Sequence, residues 1–248
     1  MANPWNLAPE EWADVLLKRA MPETVAGDLR KGNLLPWSVN LLNLTERTGT
    51  LLDLGSGRGE HCAFLALHGR DTTLTDWSSE NLSFSMKLFG VLGIQGRFLQ
   101  TNITAPLPFK NDSFDTVFSC GVFEYFTDEE IKSILREAFR VSRKKVIILV
   151  PNALSVAYRV GKWYMERTKR WPWGGERPFR TLKPSFRAVT KGKLSEFTVD
   201  AQNSLNFLTM PGGERIKNLL IRTLRLKYHS RPVLLRQGYL LVTIGEKA

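Results

Sequence analysis

Three glycines alternate with other residues between two acids in the segment Asp53–Glu60, which reads DLGSGRGE. An apolar stretch before the segment and a helix-compatible stretch after it predict a buried strand, a turn and a helix. Glycine adopts positive φ without strain, so the turn can bring backbone N–H groups close to a ligand. The flanking acids favour a ligand with an ammonium group. The G-x-G-x-G spacing differs from the G-x-G-x-x-G fingerprint of dinucleotide sites, which argues against a pyrophosphate.

This segment resembles motif I of the class I S-adenosylmethionine (SAM)-dependent methyltransferases, where the turn holds the amino-acid end of the cofactor. The resemblance implies SAM as the cofactor and these binding residues: Asp53, Gly55, Ser56, Gly57 and Gly59. Two alternatives stay open. Purely structural strand–helix turns also use glycine, and an NAD-dependent oxidoreductase would carry a glycine turn, although with the other spacing.

A second acid, Asp76, closes the next predicted strand, 72–75. In nucleotide-binding sheets an acid at this place accepts hydrogen bonds from ribose hydroxyls. The methyltransferase resemblance accordingly assigns Asp76 to the ribose and Trp77 to the adenine. Asp76 could instead be a turn or cap residue, because Ser78 or Ser79 can cap the helix that follows.

The third predicted strand, 97–100, leads to Asn102 and Ile103. Related methyltransferases usually have an acid here that accepts a hydrogen bond from the adenine amino group, so Asn102 is a departure from the family pattern. An amide oxygen can accept the same bond. The resemblance therefore implies adenine contacts by both residues, with Ile103 packed on the ring.

The stretch 106–119 resembles the sequence that precedes the fourth strand in small-molecule methyltransferases. That strand ends near Cys120, which the resemblance assigns to the cofactor, and residues 122–125 stand where many relatives read Val-Leu-Glu-His. Ligands of open α/β sheets bind outside the carboxyl ends of the strands, so the methyl group should lie near this loop. Tyr125 is therefore the candidate catalytic residue, as a pocket wall or as a base. Only an acceptor that must lose a proton requires a base.

The elements that must position these residues alternate between strand and helix patterns, which favours a parallel sheet. We expect an α/β fold: a doubly wound, mostly parallel seven-stranded sheet with helices on both faces and an aromatic and basic insert after the fifth strand. A capping box at Thr127 begins one helix, and the basic residues 143–145 suit its end. The other expected elements are helices over 9–20, around 37–44 and over 214–226, and strands over 146–150, 196–201 and 237–244.

One domain is expected over the 248 residues, of which 43% are hydrophobic and 24% charged. It divides into N-terminal helices or a lid (1–47), a SAM-binding core (48–152) and a substrate-covering region with the last strands (153–248). No apolar run is long enough to span a membrane, and the N-terminus lacks the regions of a signal peptide. With only two cysteines, we expect no disulfide framework and a cytoplasmic location. The histidines His61, His68 and His229 have no metal-ligand spacing, so no metal is expected.

The net charge of +11 comes from one part of the chain. Residues 1–150 hold 16 basic and 18 acidic residues, whereas residues 151–248 hold 19 basic and 6 acidic residues. This asymmetry suggests an acidic partner: an anionic substrate, nucleic acid or an anionic membrane surface. A basic face without a specific partner is the alternative.

The expected function is SAM-dependent transfer of a methyl group to an O, N or C nucleophile of a small metabolite, which the charge allows to be anionic. One alternative is an RNA or protein methyltransferase that uses the basic C-terminal region, although no known RNA-binding module is recognisable. Another is a non-catalytic SAM-binding protein, for which the departure at Asn102 would be a sign. The oligomeric state is left open.

Overall fold

The computed structural model describes residues 20–32, 36–224 and 236–248. The strands of this part are β1 (Thr50–Leu54), β2 (Asp71–Asp76), β3 (Arg97–Gln100), β4 (Phe114–Cys120), β5 (Ser142–Pro151), β6 (Leu194–Val199) and β7 (Leu240–Glu246). They form one sheet in the order β3-β2-β1-β4-β5-β7-β6. The first five strands pair in parallel, while β7 pairs antiparallel with β5 and with β6. The expected α/β fold is confirmed.

Helices connect the strands. In the described residues they are α1 (Pro22–Arg30), α2 (Pro36–Leu44), α3 (Glu60–Leu67), α4 (Ser79–Leu92), α5 (Asp128–Val141), α6 (Val156–Arg167), α7 (Lys183–Arg187), α8 (Ala201–Leu205) and α9 (Gly213–Leu224), with a 3-10 helix at Phe123–Tyr125. Alternate strand residues enter different apolar clusters: Leu51 and Ile147 lie in one, and Leu52 and Ile148 in the other. Because successive side chains of a strand point to opposite faces, both faces of the sheet are covered.

The order of the strands reverses beside β1. The chain passes from β1 to β2 and β3 on one side and then to β4 and β5 on the other. Asp53 is in register with Leu74 of β2 and with Phe118 of β4. Ligands of open α/β sheets bind at such a switch point, outside the carboxyl ends of the strands. The segment Asp53–Glu60 leaves the sheet there.

Both predicted helix caps are present. Ser78 Oγ accepts a hydrogen bond from Asn81 N–H, and Thr127 forms a capping box with Glu130. These caps satisfy N–H groups that would otherwise lack partners and fix where α4 and α5 leave the sheet edge.

Several predicted bounds were wrong by a few residues. Residues 143–145 belong to β5, not to the helix end, because Ser142 and Lys145 on either side of Arg143 and Lys144 pair with β4, and Lys145 also pairs with β7. The strand expected over 196–201 is β6, which ends at Val199. The closing strand begins at Leu240, and the predicted basic helix is α9. Helix α1 was not predicted, and the helix expected over 9–20 lies outside the described residues, apart from residue 20.

The described helices include none with the length and apolar character that a membrane crossing requires.

Candidate functional site

Backbone hydrogen bonds hold the turn after β1 against β2. The N–H groups of Gly55 and Ser56 both donate to the Thr75 carbonyl oxygen, at 2.9 and 2.8 Å. Gly55, Gly57 and Gly59 have φ values of +77°, +53° and +72°. Residues other than glycine rarely adopt this left-handed region of φ, so the turn requires glycine at these positions.

Two of these glycines also leave space for neighbouring side chains. A Cβ atom on Gly55 would lie 2.8 Å from Val122 Cγ2. A Cβ atom on Gly59 would lie 2.6 Å from Ser85 Oγ and 2.7 Å from Leu74 Cδ2. Part of the glycine pattern therefore serves the packing of the turn against β2, α4 and the loop after β4.

The Asp76 carboxylate joins the motif I turn to the start of α4. Its Oδ2 accepts from Gly57 N–H at 2.8 Å, and its Oδ1 accepts from Ser78 N–H at 2.9 Å and from Asn81 Nδ2 at 3.3 Å. Burial raises the pKa of Asp76 above its ordinary value, while these hydrogen bonds act in the opposite direction. The side chain that was predicted to meet a ribose thus also organises the turn.

Asp53 is buried, and its carboxylate accepts one hydrogen bond from the part of the chain that the structure describes. The thiol of Cys62 donates to Asp53 Oδ2 at 3.3 Å. Burial raises the pKa of Asp53 to about 8; the Cys62 hydrogen bond lowers this pKa, and the charge of Asp76 raises it further. A cation placed against this carboxylate would favour its charged form.

The hydroxyl group of Ser56 is a third polar group at this turn. Ser56 is buried, and its Oγ has no hydrogen-bond partner among the described residues. Buried polar groups are nearly always satisfied by protein, water or ligand, so this atom marks a place where a bound group could supply the partner.

The candidate adenine residues follow β2 and β3 at the same edge of the sheet. Thr101 N–H donates to the Asp76 carbonyl oxygen at 2.9 Å, which places residues 101–103 beside Asp76. Asn102 Oδ1 accepts from Thr104 N–H at 3.0 Å and from Thr104 Oγ1 at 2.9 Å. Ile103 is buried, and Trp77 is half-buried. The amide oxygen that the sequence suggested for adenine is therefore engaged within its own turn.

Cys120 and Tyr125 lie at the end of β4 and in the 3-10 helix that follows. The pKa of Cys120 is raised by burial first, then by the charges of Glu124 and Asp53, which places all three groups in one region. The Tyr125 hydroxyl donates to the Trp173 carbonyl oxygen at 3.1 Å. Burial, followed by the charge of Glu124, raises the pKa of Tyr125 far above its ordinary value. A phenolate at this position is correspondingly hard to form.

The sequence reading missed two buried acids in this region. Glu124 is 3% exposed and Glu176 is 7% exposed. The Tyr158 hydroxyl donates to Glu176 Oε1, whereas Glu124 Oε2 has no hydrogen-bond partner among the described residues. In the sequence, Glu124 stands between Phe123 and Tyr125, and Glu176 stands between Gly175 and Arg177. Neither setting by itself predicts burial.

Aromatic rings from distant parts of the chain pack together beside these acids. Tyr239 lies at the centre, with its ring centroid 5.6 Å from that of Trp37, 5.3 Å from Tyr158 and 4.8 Å from Phe207. His61, in the first turn of α3, lies 5.9 Å from Trp37. This interior aromatic cluster therefore connects the insert after β5 with the helix that follows motif I.

A cleft of about 500 Å³ opens beside the 3-10 helix. Its lining residues are Glu124, Tyr125, Phe126, Thr127, Asp128, Glu129, Gly175 and Arg177. Arg177 forms an ion pair with Asp128 at 2.8 Å and donates to the Phe126 carbonyl oxygen at 2.9 Å. No cluster of three or more possible metal ligands is found within the described ranges.

A model of the methyltransferase-domain family matches residues 51–145, which span β1 to the start of β5 and include motif I. This match, together with the fold, indicates a SAM-dependent methyltransferase of the class I type. Its cofactor is SAM. Comparison with curated proteins gives no match.

Solved methyltransferase structures share this fold at low sequence identity. A SAM-dependent methyltransferase from Thermotoga maritima, described as a possible histamine N-methyltransferase, is 16% identical with a TM-score of 0.59, over 85% of this chain and 87% of that one. A SAM-dependent methyltransferase from Archaeoglobus fulgidus is 15% identical with a TM-score of 0.58, over 92% and 96%. Magnesium protoporphyrin IX methyltransferase from Synechocystis, solved with S-adenosylhomocysteine (SAH), is 14% identical with a TM-score of 0.54, over 92% and 83%.

The groups at the motif I turn fit SAM. Asp53 is an acid with spare acceptor capacity, and Ser56 Oγ is buried without a partner among the described residues. The three positive-φ glycines add no side chains to the turn. When bound, SAM supplies a methyl group on a positively charged sulfur, so the transfer is a displacement at carbon. The methyltransferase itself must bind the two reactants, align them and exclude water.

Proposed function

We propose that this methyltransferase acts on a small molecule that enters the cleft beside Glu124 and Tyr125 and presents an O, N or C nucleophile. The observation that carries the proposal is the position of the cleft, at the loop that follows the carboxyl end of β4. Its volume of about 500 Å³ lies within the usual range of small-molecule sites, roughly 300–1,000 Å³. A polymer would instead need an extended groove or surface.

We propose a cofactor role for each group of residues at the carboxyl ends of β1 and β2. Asp53, Gly55, Ser56, Gly57 and Gly59 would hold the amino-acid end of SAM, and Asp53 is the acid best placed to meet its ammonium group. Asp76 would meet the ribose, since an acid at the end of the second strand accepts hydrogen bonds from ribose hydroxyls in nucleotide-binding sheets.

For the adenine we propose contacts with Trp77 and Ile103. Asn102 Oδ1 already accepts two hydrogen bonds from Thr104, so an adenine contact through this oxygen would compete with them. Cys120, at the end of β4, would contact the cofactor between motif I and the acceptor.

Tyr125 is better suited to position the acceptor than to remove its proton. Its raised pKa opposes a role as base, and its hydroxyl is donated to the loop that carries Trp173. We propose that Tyr125 forms a wall of the cleft and anchors this loop. Alignment of nucleophile, carbon and sulfur can then supply much of the acceleration.

The single-domain organisation is also part of the proposal. Strands β6 and β7, from the region 153–248, pair within the same sheet as the core 48–152. The region 153–248 would therefore cover the substrate while completing the fold. The free cysteines Cys62 and Cys120 are compatible with the cytoplasmic location that we propose.

The cofactor assignment is tested by calorimetry with SAM on matched variants of one strand. Asp76→Asn should weaken SAM binding by at least about tenfold, because an amide nitrogen would face the Gly57 N–H and disturb the turn. Asp71→Asn, at the exposed opposite end of β2, should bind like the parent protein. Equal affinities of the two variants would remove Asp76 from the site.

The acceptor class is tested with SAM carrying a labelled methyl group. We expect transfer to members of a small-molecule panel and no transfer to RNA or to a protein mixture. Nucleic-acid binding through the exposed basic residues of α6 would lose affinity steeply with salt. Labelled RNA, together with a steep salt dependence of RNA binding, would replace our proposal by an RNA methyltransferase. Labelled protein would replace it by a protein methyltransferase.

A further inference from the structure

Glu124 is a buried acid that the cofactor site does not use. It lies in the 3-10 helix directly after β4, lines the cleft and is 3% exposed. Its Oε2 has no hydrogen-bond partner among the described residues. A buried carboxyl oxygen without a partner is costly in the free protein, so a ligand that supplies a partner is the simplest reason for its presence.

Glu176 adds a second acid to the same interior. It comes from the insert after β5 and is also buried. Burial and then the charge of Glu176 raise the pKa of Glu124, so the two carboxylates lie close enough to repel each other. Both charges also raise the pKa values of Tyr125, Tyr158 and Tyr239. The acids therefore share one aromatic interior.

No described lysine or arginine forms an ion pair with either acid. The charge of Lys162 lowers the pKa of Glu176, although burial of Glu176 has the larger, raising effect. The Lys162 Nζ itself lies 2.9 Å from Glu166 Oε1 and 4.2 Å from the Trp171 ring centroid, so its contacts are with these residues. Arg177, at the cleft, is paired with Asp128. The interior thus holds two carboxyl groups without a described basic partner beside aromatic rings. A bound organic cation would favour the charged forms of these carboxyl groups and contact the ring faces.

We propose that Glu124 and Glu176 bind a cationic amine of the acceptor, that Glu124 contacts this amine directly, and that nitrogen is the atom methylated. The inference rests on the proposed function and narrows its acceptor class. It replaces the anionic acceptor that the net charge had suggested, since Arg159 and Arg167 of α6 are exposed to solvent, whereas Glu124 is buried and lines the cleft.

The proton balance assigns a second role to Glu124. An ammonium nitrogen has no free electron pair, so it must first give a proton to a base, here the Glu124 carboxylate. The neutral nitrogen then forms a bond to the methyl carbon as the carbon–sulfur bond breaks, and that electron pair stays on sulfur. The methylated nitrogen carries the positive charge until it loses a proton, and the proton held by Glu124 passes to solvent. Burial raises the pKa of Glu124, which makes its carboxylate a stronger base than an exposed one.

The test measures binding to the full chain saturated with SAH, so that no turnover is needed. Two matched series are used as probes: phenethylamine, phenethyl alcohol and phenylacetate, and tryptamine, tryptophol and indoleacetate. In at least one series the amine should bind about tenfold or more tightly than its alcohol and carboxylate, because only the amine can pair with the acids. A protein that binds SAH but shows no preference for an amine would overturn the proposal.

Matched variants test whether the preference for amines depends on Glu124 and Glu176. Glu124→Gln should weaken amine binding by at least about tenfold and leave SAH affinity unchanged, since it removes the charge and keeps the shape. Glu176→Gln keeps the acceptor oxygen for Tyr158 and should show a smaller loss. Glu214→Gln, a change at an exposed acid of α9 that does not line the cleft, should bind amines like the parent protein.

Undiminished amine binding by Glu124→Gln would reject the proposed contact even if amines are the acceptors. If the parent protein does not bind SAH, the result would instead contradict the proposed function itself. Methylated amine from labelled SAM, with the label located on nitrogen by mass spectrometry, completes the test. Label found only on oxygen or carbon would overturn the assignment of the acceptor atom.

Discussion

Asp53 and Asp76 end neighbouring strands, yet their surroundings give them different capacities. Asp76 accepts hydrogen bonds from Gly57, Ser78 and Asn81 and so maintains the turn. Among the described residues, the Asp53 carboxylate accepts only the weak hydrogen bond of the Cys62 thiol. Asp53 is therefore the acid that a bound ammonium group can most readily satisfy, and its pKa of about 8 means that it holds a proton at neutral pH.

We expect SAH binding at neutral pH to release about one proton, because the ligand ammonium converts Asp53 to its charged form. Calorimetry in two buffers with different ionisation enthalpies measures this release directly. Asp53→Asn should bind SAH more weakly and release no proton. Identical binding heats in both buffers for the parent protein would show that Asp53 is not neutral before binding or does not meet the ammonium group.

At the scale of single residues, the sequence predicted the glycine turn but not all the contacts that require glycine there. The spacing of Gly55 and Gly59 could be recognised, whereas their close approach to Val122 and Ser85 depends on contacts far along the chain. Glu124 gave no local signal of burial either, since an acid in a strand-end loop is usually exposed. That Glu124 is buried with one oxygen unpartnered can be recognised only in the folded structure, which also contains the insert that carries Glu176.

At the scale of elements, helix α3 has a positive-φ glycine at each end, and the two glycines differ in their surroundings. Gly59 precedes the helix at φ +72° and faces Ser85 and Leu74, whereas Gly69 follows it at φ +81° with open space around the missing Cβ. Gly69→Ala should cost about 1–2 kcal/mol of unfolding free energy, the price of a left-handed alanine. Gly59→Ala should cost about 1–3 kcal/mol more, because its Cβ overpacks the turn.

Chemical denaturation of the two variants measures this difference. The Gly59 variant should also lose SAM affinity, and the Gly69 variant should retain it. Equal losses of stability would mean that the turn can move away from α4 without cost.

Glu196 connects the edge strand β6 with its neighbours. Its carboxylate, 1% exposed, accepts from Thr181 Oγ1, Leu182 N–H and Thr243 Oγ1 at 3.0, 2.9 and 2.9 Å and forms an ion pair with Arg236 at 3.0 Å. Glu196→Ala should lower the unfolding free energy by about 2–4 kcal/mol, because three donors would lose their acceptor.

The control for Glu196 is Glu214→Ala on α9, an exposed acid paired with Lys217 at 3.0 Å. It should change the unfolding free energy by less than about 1 kcal/mol, since exposed ion pairs contribute little. Thermal unfolding of both variants checks the contrast, and a Glu196 variant as stable as the control would contradict it.

The strand and helix order of 48–152 could be read from the sequence because each element has its own apolar period and cap. The start of β5 could not, since residues 143–145 are basic and polar-looking. In the structure Arg143 and Lys144 pair with Asp115, and Lys144 also pairs with Glu46, so these side chains reach partners at the sheet edge while the backbone stays in the strand. Tertiary contacts thus override the local pattern there.

At the scale of the whole molecule, acids in the interior make stability depend on pH. Burial raises the pKa values of Asp53, Asp76, Glu124, Glu176 and Asp200. An acid with a raised pKa binds its proton more tightly in the folded state, so its stabilising effect is present at low pH and is lost as pH rises toward the folded pKa. His61 acts oppositely: burial lowers its pKa to about 4, so it costs stability only below its ordinary pKa of 6.5.

Between pH 6.5 and about 8 the histidine no longer contributes and the acids act alone. The free protein should therefore become less stable as pH rises through this window, and Asp53 by itself should account for about 1.5 kcal/mol of the loss. Denaturant unfolding at the two ends of the window measures it. Asp53→Asn should show a loss smaller by that amount, whereas the exposed Asp71→Asn should keep the full loss. A free protein that is equally or more stable at the upper end would mean that these acids are already charged in the folded state, and that the interior is solvated rather than held ready for a cation.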